Sequence, residues 1–141
     1  MFVYLHGFNS APASRKARTM AAYLQARGLG HLFSCPALPP SPPSAVRVIE
    51  AEVARHGEKI TFVGSSLGGF YATHFAERLG VRAVLINPAI RPYVGLESYL
   101  GTQKNLYTTP RRLNQLFFGN VSAYALRVLS RDCFTILSAS G

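Results

Sequence analysis

Four short apolar runs set the tightest limit on how this chain folds. They are Phe2–Leu5, residues 60–63, Arg82–Ile86 and Phe134–Leu137. None alternates apolar with polar residues, so each has to be buried on both faces. Between them lie stretches of helical period. Residues 14–27 carry Ala17, Met20, Ala21 and Leu24 on one stripe, and residues 44–56 carry Val46, Ile49 and Val53. Leu67–Leu79 is a third such stretch. Gly28, Gly57 and Gly80 are the stop signals behind the three. Residues 31–35 read as a further strand. Residues 36–43, with five prolines, read as an extended loop. Strands that alternate with helices predict an α/β fold of three layers, a parallel sheet of about five strands with helices on both faces.

One domain covers residues 1–141, without internal repeats, since 141 residues is about one domain's length. Beyond Asn87 and Pro88 the pattern loosens. Residues 93–100 and 110–129 look helical, so 93–130 is expected to form a cap over the sheet.

Composition narrows the function classes. Nine Phe and seven Tyr are too many for a disordered chain. The net charge is +9, from fifteen basic and six acidic residues. The basic residues are scattered at one or two per helix, with no stripe interleaved with aromatics, so a nucleic-acid partner is not expected. No apolar run reaches the roughly 18 residues of a membrane span. The N-terminus reads as a strand rather than a signal peptide. Cys35 and Cys133 lie far apart and lack metal-ligand spacing, which predicts reduced thiols in the cytoplasm and no metal site.

Chemistry enters at Gly64-Ser65-Ser66-Leu67-Gly68, a match to G-x-S-x-G. The string is short enough to arise by chance. Its context is the required one, with a buried strand before it and a helix after it. A nucleophile on such a sharp turn needs small residues two before and two after it. Gly64 and Gly68 supply them, and Gly69 lets the helix start approach neighbouring backbone. Ser66 is then an exposed hydroxyl at a helix N-terminus, where free N–H groups and the dipole favour a developing oxyanion. The alternative is a capping serine on a Gly-rich turn. Leu67 N–H is one candidate oxyanion donor. His6-Gly7-Phe8-Asn9 closes the first strand, and in a parallel sheet that end lies at the ligand-binding edge. Phe8 N–H is the second candidate donor. His6 is read as a hydrogen-bonding support of this loop rather than a base, because the base normally follows the nucleophile in the chain.

These segments resemble the α/β-hydrolase superfamily, specifically the small bacterial YqiA-like esterases. The match runs through residues 4–10, 63–73 and 87–93, with weaker similarity to about residue 108. The resemblance implies hydrolysis of small acyl esters or thioesters. Ser66 is the nucleophile, Phe8 and Leu67 form the oxyanion hole, and no cofactor is needed.

The pattern breaks after Ser66. An acid and then a histidine should follow the nucleophile. Only His74 follows it, eight residues along the same helix and roughly 12 Å away. Asp132 precedes the fifth strand, at its wrong end. Glu77 is on the nucleophile's helix and Glu97 is in the cap. In the related esterases the acid and histidine come after the strand resembling Phe134–Leu137, so the chain reads as truncated before its own acid, and weak or inactive by itself. The alternatives are a non-catalytic protein that binds a small acyl or carboxylate ligand at Ser66, and an interaction protein that self-associates through the sheet edge left bare.

Overall fold

A computed structural model describes residues 1–57, 59–90 and 92, together with the strand segments 101–103, 111–113 and 134–137. The elements run β1 (Phe2–Leu5), α1 (Arg15–Gln25), β2 (Phe33–Ser34), α2 (Pro42–His56), β3 (Thr61–Ser65), α3 (Leu67–Leu79) and β4 (Arg82–Ile86). Then follow β5 (Gly101–Gln103), β6 (Arg111–Leu113) and β7 (Phe134–Leu137). The main sheet has the order β2-β1-β3-β4-β7 and every pairing in it is parallel. The five expected strands are therefore present, and the fold is an α/β fold with an open sheet.

Both faces of the sheet are covered, which is why its strands lack polar alternation. Val3, Leu5, Phe62, Ala83 and Leu85 pack on one face with Ala45, Val46 and Ile49 of α2 and Phe70, Ala72, Phe75 and Ala76 of α3. Tyr4 and Val63 point to the other face, where Ala17 and Met20 of α1 meet them. Successive residues of one strand thus serve opposite layers. Rings of Phe62 and Phe75 lie 6.1 Å apart across the first interface. Among the described residues no helix is long and apolar enough to cross a membrane.

The element ends differ from the sequence expectation in ways that have physical causes. Helix α2 begins at Pro42, two residues before the expected start, because a proline's missing N–H costs nothing in a first turn. Residues 30–32 form a 3-10 turn, which leaves only Phe33 and Ser34 to pair with Phe2 and Val3. Helix was expected over residues 110–129, but Arg111–Leu113 pairs antiparallel with Gly101–Gln103 as a separate two-stranded sheet. Residues 93–100 and the rest of the expected cap lie outside the described residues, as do Asp132, Cys133 and Glu97.

The edge strand β2 is short, and α2 holds it. Glu52 of α2 is buried, and the Ser34 hydroxyl donates to its Oε2 at 2.7 Å. Arg55 Nη1 donates to its Oε1 at 3.0 Å, and His56 Nε2 stands 3.6 Å from Oε2.

Candidate active site

In a parallel sheet the C-terminal ends of all strands share one edge. Here Leu5 of β1 pairs with Gly64 of β3, and Ser65 pairs with Ile86 of β4. The loops that follow, starting at His6, Ser66 and Asn87, therefore emerge side by side. Ser66 and Phe8 lie at the same edge, as the sequence predicts.

Ser66 sits between β3 and α3 with φ 53° and ψ −121°. A non-glycine residue adopts positive φ only at a steric cost of roughly 1–3 kcal/mol, so the surroundings must enforce it. They do so through the backbone. Ser66 N–H donates to Ile86 O at 3.1 Å, and Ala89 N–H donates to Ser66 O at 3.0 Å. Gly69 N–H also donates to Ser66 O, at 2.8 Å, as the first turn of α3 closes. The last residue of β4 and the loop after it thus grip both peptide groups of Ser66. The side chain makes no capping bond to α3, and the residue is exposed while its neighbours Ser65 and Leu67 are buried. The hydroxyl is thereby held outward at the head of a helix, where N–H groups lack intrahelical partners.

The flanking glycines answer to close approach. A methyl group on Gly68 would overlap Leu5 O and lie 2.6 Å from His6 O. On Gly64 it would lie 2.6 Å from Gly69 Cα and 2.7 Å from Ala72 Cβ. Helix α3 therefore rests directly on β1 and β3 backbone. The turn after β1 is equally close to Ser66, since a methyl group on Gly7 would lie 3.1 Å from Ser66 Cβ and 3.7 Å from its Oγ. Phe8 is the next residue. Its N–H and that of Leu67 belong to the two peptide segments that flank the hydroxyl.

His6 is buried, with both ring nitrogens committed. Leu38 N–H donates to Nε2 at 2.9 Å, and Nδ1 lies 3.0 Å from Gly7 O. An accepting Nε2 puts the proton on Nδ1, so the neutral ring ties the loop after β2 to the loop after β1. Burial pushes the His6 pKa below the ordinary histidine range, partly offset by the Gly7 bond. His74 lies two turns down α3, its ring edge-on to Phe75 at 5.4 Å. Burial and then the Arg78 charge lower its pKa, against smaller opposite effects from Glu77 and Glu50. His56 is at the far end of α2 beside Glu52, and His31 is in the 3-10 turn. Strand β7 starts at the edge opposite Ser66, because Phe134 pairs with Ala83.

Two contributors escape a reading of residue types. Ala89 and Ile86 act on Ser66 only through main-chain atoms. The one signal for them was Asn87-Pro88 at the end of an apolar strand, where Asn87 takes φ 44°. The Leu38 partner of His6 left no signal, because its contribution is an N–H set 32 residues away.

A crystal structure named "Putative hydrolase from Agrobacterium vitis S4" superposes on this chain with a TM-score of 0.69 at 19% sequence identity. The match covers 88% of this chain and 60% of that one, so the chain spans about three-fifths of the length of the structure it resembles. At such identity the likeness speaks to the fold alone, an open parallel sheet with helices on both faces. A family model described as "Uncharacterised protein family (UPF0227)" matches residues 1–130. The chain, an α/β fold with an open parallel sheet, belongs to the UPF0227 family.

Proposed function

We propose that the chain carries the nucleophile and the oxyanion hole of a serine hydrolase that acts on small acyl esters or thioesters. Ser66 Oγ attacks the acyl carbonyl carbon and gives its proton to a base. The tetrahedral oxyanion accepts hydrogen bonds from the Phe8 and Leu67 N–H groups. Its collapse expels the alcohol or thiol, which takes the proton, and leaves an acyl group on Ser66. Water then releases the carboxylic acid by the same route. The observation that carries this reading is the backbone of Ser66, strained, gripped by the end of β4 and the loop after it, and exposing its hydroxyl.

His6 is a support in this reading, not the base, since its acceptor nitrogen is occupied by Leu38 N–H. No histidine follows His74 in residues 1–141. Acylation by an activated ester depends on a base less than deacylation does, because nitrophenolate leaves more readily than the Ser66 alkoxide, so the acyl-enzyme should accumulate. Incubation of the chain with p-nitrophenyl butyrate should place a butyryl group on the peptide containing Ser66, detected by mass spectrometry, and Ser66→Ala should lack it. Nitrophenol release that Ser66→Ala leaves unchanged, with no adduct, would sink the proposal. Among the described residues no base with an open acceptor is placed at the exposed Ser66, which favours one second reading, a protein that binds a carboxylate or acyl ligand there without turnover. Saturable binding of butyrate with no acyl transfer would select it.

A further inference from the structure

The four loops that converge on Ser66 share a property that the chain as a whole does not have. Residues 6–14, 35–41, 65–66 and 87–90 contain no Asp, Glu, Lys or Arg, although Arg91 follows Ile90 in the sequence and the chain carries fifteen basic residues. The charge stands elsewhere. Lys59 and Arg82 are exposed at the opposite edge of the sheet, and the terminal ammonium of Met1 donates to Lys59 O there at 2.7 Å. At the Ser66 edge the side chains of these residues are uncharged, with Ser41 and Asn87 the exposed polar ones besides Ser66 and Ile90 the exposed large apolar one. Ile90 is 77% exposed, more than Tyr23 or Leu29, the other exposed large hydrophobic residues described. Its position is fixed, because Ala89 N–H bonds Ser66 O and Pro88 presses on Gly69, where an added methyl group would lie 2.8 Å from Pro88 Cβ. Leu38 and Phe8 approach from the loops that His6 ties together, and both pack partly against the main core.

We propose that Ile90 is a specificity-determining residue, the wall along which an uncharged, apolar acyl chain lies when its carbonyl meets Ser66. The inference rests on Ser66 being the nucleophile. An acyl chain that leaves Ser66 toward the loop after β4 meets Ile90, whose side chain has water to lose. A charged acyl group would find no counter-charge among residues 6–14, 35–41, 65–66 and 87–90.

Alkylboronic acids test this without a general base. The Ser66 hydroxyl oxygen adds to boron, its proton passes to water, and a tetrahedral boronate forms. Calorimetry with ethyl-, butyl- and hexylboronic acid should show affinity rising about two- to fourfold per methylene, as burial of each CH₂ predicts. A carboxypropyl analogue should bind about tenfold or more weakly than butyl, the scale of an unmatched polar group. Ile90→Ala should flatten the chain-length dependence, and Ile90→Glu should flatten it further. Tyr23→Ala, on α1, should not change it. Binding that disappears in Ser66→Ala yet keeps its full chain-length dependence in both Ile90 variants overturns the role of Ile90 and leaves the nucleophile standing. Binding indifferent to Ser66→Ala overturns both.

Discussion

At Ser66 a hydroxyl is presented at the expense of backbone comfort, and that trade can be measured. The φ of 53° is adopted readily by glycine but not by residues with a Cβ. Ser66→Gly should therefore raise stability by about 1 kcal/mol, the strain relieved less the extra chain entropy of glycine. Ser66→Ala keeps the Cβ and should not. Urea denaturation of the three proteins decides this, and a Ser66→Gly midpoint below wild type would mean the turn is unstrained. Gly68→Ala should act in the opposite direction, by ~1–3 kcal/mol or more, because the new methyl group meets Leu5 and His6 main-chain oxygens that cannot rotate away. His6 adds a pH dependence. Its folded pKa is lowered by burial, so the unfolded chain takes the proton first. Its contribution is complete above the ordinary histidine range and is lost as pH falls through it. The urea midpoint should thus drop between about pH 7.5 and about pH 5. His6→Gln, which can still accept from Leu38 N–H without titrating, should shrink that drop. His74, lowered by burial and Arg78, supplies part of the remainder. A drop of equal size in His6→Gln would exclude His6 as a source. Ser66, Gly64 and Gly68 were legible in the sequence because the turn needs those residue types. Ala89 was not, because a peptide N–H is common to every residue but proline.

Elements were legible where one stripe or one buried run dominates. Helices α1 and α3 and strands β1, β4 and β7 are of that kind. The misreadings fell where main-chain pairing or first-turn rules decide instead, at the 3-10 turn before β2, at Pro42 of α2, and at Arg111–Leu113. The anchoring of β2 by α2 was also hidden, since Glu52 looks like any exposed carboxylate on a helix near Arg55 and His56. In the fold it is buried and receives the Ser34 hydroxyl. A hydrogen bond to a buried charged group contributes ~1.5–3 kcal/mol. Glu52→Ala should lower stability by about that amount, with amide exchange in residues 33–34 accelerating more than in β3. Uniform acceleration across the sheet would show that Glu52 supports α2 alone rather than the edge strand.

On the scale of the whole molecule, the parallel order β2-β1-β3-β4-β7 collects the loops that start at His6, Ser66 and Asn87 at one edge and leaves Lys59 and Arg82 at the other. The edge was legible, since parallel strands all end on the same side. The completeness of the machinery there is a question of chemistry. A serine hydroxyl is a weak nucleophile at neutral pH without a base. A serine hydrolase deprived of triad members keeps an acceleration of ~10³–10⁴ over water from its oxyanion hole and binding alone. Residues 1–141 should hydrolyse p-nitrophenyl butyrate at about that residual level. In α/β-hydrolases the acid and then the histidine follow the nucleophile in the chain. Strand β7 runs parallel to β4, so Leu137 pairs with Ile86 and its C-terminal end is at the Ser66 edge. A segment continued from that end would deliver its first residues at the Ser66 edge. Fusion of residues 1–141 to an α/β-hydrolase C-terminal segment bearing Asp and His should therefore raise the rate by about a hundredfold or more, the scale of general base catalysis. Ser66→Ala in the fusion should remove that gain. A fusion that folds, as judged by circular dichroism and a single unfolding transition, yet shows no gain over residues 1–141 would place the base elsewhere than after β7. High activity of residues 1–141 alone that Ser66→Ala destroys would show that a base already reaches Ser66 from another copy of the chain.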